Sequence, residues 1–414
     1  MDNPRIRRLE AFPVKHQGKD MVALRDPQGY MGDVAVISPT VYFIAALCDG
    51  SRTLRDIQAA YVRRFGDIIT TDQLADILQR LDEQLILDGP FFRRVKEVCD
   101  REYLQLPNRP MTLAGRSYPA HPRELADFLG RLLNSARGEE GEPGLPRGLV
   151  APHIDPERGW RCYAETYACL ARTRPSYRSL VVVLGTCHGE MEGRFALTSK
   201  NYLTPLGLVE TDASLAGELA RAAGMEGLGD ELSHRSEHSI EMQLPLLAAA
   251  FGGVEGFRII PVTCNSFHDL MERGSSPSED PEVGSFIRAL RSLLTALEEE
   301  VMLLAAADLA HVGRRFGSAV PVDAMILSSV CSKDREMLDL AASGDAEGFY
   351  SFVMGEGDSR HICGLSPIYV LVKALGGRRG RIIHYDRWFD PREGSAVTFA
   401  GMVFPRGGLE MEEA

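Results

Sequence analysis

Six short apolar runs, at 148–151, 180–184, 258–263, 301–307, 381–385 and 396–404, carry almost no polar alternation. A strand with one wet face alternates apolar and polar residues, so runs such as "LVVVL" and "VMLLAAA" belong to strands buried on both sides. Helical stretches at 160–172, 213–223, 238–250, 285–299, 324–342 and 366–375 separate several of them. This alternation predicts an α/β domain with a mainly parallel central sheet and helices on both faces. The polar stretch "MERGSSPSEDPEVG" at 271–284 reads as an insertion, and no internal repeat is present.

The first hundred residues have another character. "SPTVYFIAALCDG" reads as a short apolar helix stopped at Gly50. In "SRTLRDIQAAYVRRFG", Thr53 is a candidate N-cap, Leu54, Ile57, Tyr61 and Phe65 fall at helical spacing, and Gly66 is the stop. "TTDQLADILQRLDEQLIL" puts Leu74, Ile77, Leu78, Leu81 and Leu85 on one face. "LILDGPFFRRV" has an Asp-Gly turn between apolar pieces, a hairpin signal. Three helices and a hairpin predict a small winged-helix-like α+β module over 1–98. It resembles the PqqD-like domains that hold peptides or partner proteins, which implies docking of a peptide or protein through residues 1–98. A connecting segment, 99–146, holds one helix in "HPRELADFLGRLLNSA" and ends in the Gly-, Pro- and Glu-rich loop "RGEEGEPGLPRG" at 137–148. The α/β domain covers 147–406, and 407–414 is a tail.

The formal charge of −12 over 414 residues argues against nucleic acid or an anionic membrane as partner, since both reward clustered Lys and Arg. No apolar run approaches the roughly 18–20 residues of a spanning helix. "MDNPRIRRLEAF" has basic residues but no apolar segment behind them, so no signal peptide is expected. The eight cysteines form no CxxC pair. Free thiols in a reducing cytoplasm are therefore the expectation.

Ligands of open α/β sheets collect beyond the carboxyl ends of the strands. His153 follows "GLVAP", His188 follows "VVVLGTC", and Asp308 and His311 follow "VMLLAAA". A single His after a strand is more often a satisfied structural residue, but three at equivalent ends of one sheet suit a first-row metal site. "SHRSEHSIEMQLPLLAAAF" at 233–251 adds His234, His238 and Glu241, with Ser236 or Ser239 as possible caps. His238 and Glu241 would share a helix face, either as a His/Glu pair aimed into the site or as a cap and a solvated acid. In "DSRHICGLSPIYVLVKALG" at 358–376, Cys363 precedes an apolar helix and would be biased toward thiolate, although a buried loop cysteine is the plainer reading. The HExxH, GxSxG, phosphate-loop and dinucleotide signatures are absent.

"APHID", "LGTCHG", "EHSIEMQLP", "AADLAHVGRRF" and "ICGLSPIYVL" occur in this order across 148–404. Together they resemble the Memo family, whose bacterial members are called AmmeMemoRadiSam system protein B. The resemblance implies a fold similar to the LigB-like class III extradiol dioxygenases. It implies a metal site on His153, His188 and Cys363, with Asp308, His311 and His238 as the catalytic neighbours. Iron is the implied cofactor, and a thiolate ligand would also accept copper or zinc. Redox or oxygenase-like chemistry is implied with it, in association with radical-SAM and AMMECR-type proteins. Two other readings stay open, a metal- or peptide-binding partner protein without turnover and a zinc-dependent hydrolase. Gly189, Gln243, Ala310 and the "ID" of "APHID" depart from the family pattern. They leave the proposed ligands in place.

Overall fold

A computed structural model describes residues 3–32, 34–137, 144–172, 178–297 and 301–407. The centre of the "RGEEGEPGLPRG" loop, the end of the helix expected over 285–299 and the tail from 408 lie outside the described residues. The chain divides into two compact units, Met1–Leu106 and Pro107–Ala414.

The first unit opens with three antiparallel strands, β1 (Glu10–His16), β2 (Lys19–Arg25) and β3 (Ala35–Ile37). Gln17 and Gly18, both at positive φ, make the two-residue turn from β1 to β2. Helices α1 (Pro39–Leu47), α2 (Leu54–Phe65), α3 (Thr71–Glu83) and α4 (Pro90–Gln105) follow. Thr53 and Thr70 close capping boxes with Asp56 and Gln73 at the starts of α2 and α3. Leu24, Ile44, Ile57, Leu74, Leu78 and Leu81 form the core. The hairpin expected at "LILDGPFFRRV" is instead the start of α4. The buried Asp82 carboxylate accepts the amides of Phe91 and Phe92 at 3.0 and 3.2 Å, so it caps a helix that Pro90 begins. Gly89 permits this approach, since a Cβ there would lie 2.3 Å from that carboxyl group. The hairpin of this unit therefore precedes its helices.

The second unit begins with β4 (Asn108–Arg109), α5 (Pro122–Asn134), β5 (Gly148–Ala151), α6 (Pro156–Ala171) and β6 (Ser179–Thr186). Then come β7 (Phe195–Leu197), β8 (Asn201–Thr204), β9 (Gly207–Val209), α7 (Ala213–Ala222), α8 (His238–Phe251) and β10 (Phe257–Cys264). The short α9 (His268–Glu272) leads to α10 (Pro281–Ala296), β11 (Val301–Ala306) and β12 (Asp308–Gly313). Helices α11 (Ala324–Ala342), α12 (Ala346–Gly355) and α13 (Leu365–Ala374) precede the final pair, β13 (Arg381–Asp390) and β14 (Ser395–Phe404).

The main sheet has eight strands in the order β12-β14-β5-β11-β6-β10-β7, with β13 on the other side of β14. Only β5, β11, β6 and β10 run parallel to one another, and β5 and β10 are antiparallel to β14 and β7 on their outer sides. The sheet is thus mixed rather than mainly parallel. The short turn from β13 to β14 leaves no room for a crossover, so that pair is antiparallel and reverses the sheet's sense at its edge. In β11, Val301, Leu303 and Ala305 pack into one core and Met302 and Leu304 into the other. This is why the run shows no polar alternation. Helices α5, α6 and α8 cover one face, and α7, α10, α11, α12 and α13 cover the other. A small sheet, β4-β8-β9, stands beside them. The polar stretch 271–284 is ordered by caps, with Ser276 and Asp280 each accepting backbone amides. Among the described residues, no helix is long and apolar enough to cross a membrane.

β12 extends the sheet beyond its parallel centre. It continues the direction of β11 but pairs with the stretch of β14 that lies beyond the end of β5. Asp308 is thereby carried over the point where the chain leaves β5 toward His153.

Candidate metal centre

Ala151, Ala306 and Gly185 share one row at the carboxyl ends of β5, β11 and β6. From this row the chain passes to His153, Asp308 and His188 respectively. The start of α8 brings Glu237 and His238 from one face of the sheet, and the loop before α13 brings Cys363 from the other. Two glycines allow these approaches. A Cβ at Gly185 would lie 2.5 Å from Ile240 Cγ1. One at Gly364 would lie 2.4 Å from Ala307 Cβ and 2.6 Å from the Asp308 carbonyl oxygen. The Cys363 and Gly364 amides donate to the carbonyls of Leu309 and Asp308 at 3.1 and 2.8 Å, which stitches the cysteine loop to β12.

Cys363 Sγ lies 3.4 Å from His153 Nε2 and 3.4 Å from His188 Nε2. Each imidazole is oriented through its other nitrogen. His153 Nδ1 is 3.0 Å from the Ala306 carbonyl oxygen, so it donates there and turns Nε2 toward the sulfur. His188 Nδ1 is 3.0 and 3.2 Å from the two carboxylate oxygens of Glu237, and the His188 amide donates to Glu237 at 2.9 Å. An imidazole fixed in this way by a carbonyl or carboxylate is the usual arrangement of a metal-ligating histidine. His238 completes a cluster in which one ring nitrogen from each of His153, His188 and His238 lies within 4.8 Å of the others. Its Nδ1 is 3.5 Å from Glu237, and its ring centroid is 4.3 Å from that of His188.

Electrostatics favour a sulfur anion. Burial opposes ionisation of Cys363, but the charges of His153 and His188 and their hydrogen bonds outweigh it and hold the thiol well below its ordinary range. The thiolate is the form that binds metals. Burial likewise opposes protonation of His153, yet Asp308 and then Cys363 raise it to about 9. His188 is raised well above its usual value against its burial, chiefly by Glu237 and Cys363. Glu237 is held far below the carboxylate range despite burial, by His188 above all.

Donors that share one ion at bonds of about 2.0–2.1 Å to nitrogen and about 2.3 Å to sulfur, with angles of roughly 90–110°, sit about 3.1–3.6 Å apart. The two 3.4 Å separations meet that condition. The ring nitrogens of His153, His188 and His238 also lie within 4.8 Å of one another. The contacts at ligand spacing thus involve His153, His188 and Cys363, with His238 as their neighbour. Two imidazoles and a thiolate suit iron, copper or zinc and leave coordination positions open.

Asp308 and His311 do not pair with each other. The Asp308 carboxylate accepts the amides of His153 and Ile154 at 2.9 and 3.2 Å and stands 3.7 Å from His153 Nε2. His311 Nδ1 donates to the Leu309 carbonyl at 3.1 Å, and its ring meets Phe316 edge-on at 5.0 Å. Among the described residues no contact joins His311 to the trio. It nevertheless stands on the same side of the sheet as Asp308. Asp308 pairs with Phe399 and His311 with Val397, so three residues of β12 span two of β14. This bulge cancels the odd spacing and puts both side chains on one face.

Glu241 points away from the centre. It is fully buried in an ion pair with Arg109 and also accepts from the Thr112 and Leu113 amides, the Thr112 hydroxyl and Tyr118. Arg109 donates in turn to the carbonyls of His234 and Glu237 at 3.0 and 2.9 Å, bracing the turn that presents Glu237. His234 is structural, between Tyr202 and the Ala196 carbonyl. Gln243 links the Pro152 carbonyl to Tyr167. Sequence reasoning missed Glu237. It is the first residue of the "EHSIE" motif and the N-cap of α8, with its side chain accepting from the Ser239 amide. An acid just before a helix that begins with histidine is the signal that was available.

A family model described as Memo-like protein matches residues 109–403. A MEMO1 family protein of Aquifex aeolicus is 26% identical over 405 residues, covering 97% of this chain and 99% of its own length. One from Thermus thermophilus is 29% identical over 85% of this chain and 99% of its own. One from Methanopyrus kandleri is 31% identical over 72% of this chain and 99% of its own. The Aquifex match, at 97% of this chain, takes in most of the first hundred residues.

Proposed function

The chain belongs to the Memo-like protein family, and from that membership we propose that its second unit holds one metal ion on His153, His188 and Cys363. Iron is the proposed ion, with copper or zinc as the alternatives that a thiolate admits. The proposed chemistry is redox or oxygenase-like, on a fold of the class III extradiol dioxygenase type, in a cytoplasmic system with radical-SAM and AMMECR-type partners. The observation that carries this reading is the pair of 3.4 Å separations from one sulfur to two imidazole nitrogens, each imidazole anchored through its far nitrogen.

Bound iron with open positions would supply oxygen and electron chemistry. The protein's own groups supply orientation and proton control. Asp308 fixes the loop that carries His153. Glu237 fixes His188 and stands between it and His238, so a proton can be held at His238 beside the centre. His311, on the same face about two residues farther along the sheet, or roughly 7 Å, is the second proton-bearing group. The first unit is proposed to dock a peptide or protein partner.

The test is metal analysis of protein purified without added metal, beside Cys363→Ser and His153→Ala variants. About one iron per chain is expected in the parent, with most of it lost in both variants while the circular dichroism spectrum is kept. Full retention by both variants would remove the centre. Anaerobic loading with Fe(II) followed by measurement of oxygen consumption then separates a redox centre from a binding protein without turnover.

A further inference from the structure

Beside the centre, the same face of the sheet carries a group of side chains that the metal site does not use. The row of His311 continues across β14 through Val397 to Trp388 on β13, and paired residues of antiparallel strands share a face. Val397 and Trp388 both pack on the core under α6, which confirms the side. Arg158, in the first turn of α6 and five residues after His153, lays its guanidinium 4.2 Å from the centre of the Trp388 ring. Arg315 lies 5.8 Å from the same ring, and its neighbour Phe316 meets His311.

The charge on Arg158 is unmatched. Its side chain is exposed, and among the described residues it makes no hydrogen bond or ion pair beyond its stacking on Trp388. The nearby carboxylates are engaged elsewhere. Asp386, in the row of Asp308, faces His384 at 3.7 Å, and Asp390 accepts the amides of Arg392 and Glu393. Asp155 accepts the Glu157 amide as the cap of α6. A guanidinium stacked on an indole keeps its N–H edge directed outward, in the fork that matches a carboxylate or phosphate. Two strand spacings and two residues of rise put this edge on the order of 10 Å from Asp308.

We propose that Arg158, held by Trp388 and flanked by Arg315, is an anion-recognition rim that takes the carboxylate or phosphate end of an elongated substrate whose other end reaches the His153, His188 and Cys363 centre. As a statement about substrate this rests on the proposed metal centre, whereas anion binding by the rim does not. The class of ligand is a small organic oxyanion whose charged group is separated from its reacting atoms by about the width of an aromatic ring system.

The chain has two tryptophans, and Trp160→Phe leaves Trp388 as the sole reporter. Titrations of that protein with benzoate and with inorganic phosphate, at ionic strength held constant with potassium chloride, are read by indole fluorescence. A saturable change is expected with at least one probe, and the one that saturates distinguishes carboxylate from phosphate. Adding Arg158→Gln should raise the midpoint roughly tenfold or more, the loss of a charge-assisted pair. No saturation with either probe, or an unchanged midpoint in Arg158→Gln, overturns the proposal. The same titration on metal-stripped protein and on His153→Ala should saturate as before. A response confined to metal-loaded protein would put the anion on the metal and overturn the rim while leaving the centre standing.

Discussion

Glu237 governs the direction in which His188 faces. Both of its oxygens are used by the His188 ring and amide, and it is itself buried. Glu237→Gln keeps the shape but removes the charge and one acceptor. Metal affinity should fall about 10–100-fold with little change in folding, as competition with a chromogenic chelator would measure. His234 behaves oppositely. Burial, aided by the nearby Arg109 charge, pushes it down to about 4 from 6.5, although the Ala196 carbonyl acts the other way. Its neutral ring donates from Nε2 to Ala196 and accepts from Tyr202 at Nδ1. The folded state therefore binds this proton less readily than the unfolded chain. The stability it supports is complete above about pH 6.5 and is lost as the pH falls through about 4, to the extent of roughly 3 kcal/mol. Urea unfolding at pH 7 and pH 4.5 should show this slope, and His234→Gln should flatten it. At this scale the trio and Asp308 were legible from the strand ends and the family motifs. Glu237 was hidden because helical spacing drew attention to Glu241, whose partners start 132 residues earlier in the chain at Arg109.

Among the elements, the parallel strands were legible because each is an unbroken apolar run of the kind that only two-sided burial produces. β12 was not, since its sequence "DLAHVG" mixes charge with apolar residues and reads as the loop after β11. β7, β8 and β9, of three or four residues each, were too short to leave a period. The hairpin expected at Asp88-Gly89 failed for a tertiary reason, the reach of Asp82 to the amides of α4. Two substitutions test how the elements are joined. Gly364→Ala drives a methyl group into Ala307 and the Asp308 carbonyl, so the cysteine loop must lift from β12. A loss of about 1–3 kcal/mol and a drop in bound metal are expected, read by urea midpoints and metal analysis. Arg109→Met leaves Glu241 charged and buried without its counter-ion, at a cost of about 3–5 kcal/mol. The double variant Arg109→Met/Glu241→Met should recover part of that loss, since it removes the stranded charge.

At the scale of the whole molecule, the division near residue 106 separates a small sheet-and-helix unit from the unit that contains every proposed ligand. Residues 107–414 expressed alone should fold cooperatively and retain the same metal stoichiometry as the full chain. A shorter fragment that loses metal while remaining folded would tie the centre to the first unit. The sequence conveyed the α/β class and the change of character along the chain, but not the reversal of strand direction at the sheet edge. That reversal depends on which strand β14 chooses as neighbour, a long-range pairing that no local pattern records.

The bulge in β12 has a consequence for how such chains can change. Because an extra residue between Asp308 and His311 absorbs their odd spacing, the side each faces is set by its partner on β14 and not by the count of residues between them. Deleting either Leu309 or Ala310 would leave the two positions in a plain ladder opposite the same partners, both still on one side, with only the added twist of the bulge removed. Lineages that carry this pair should therefore tolerate the loss of one codon here, whereas loss of both intervening codons would put acid and imidazole on opposite sides.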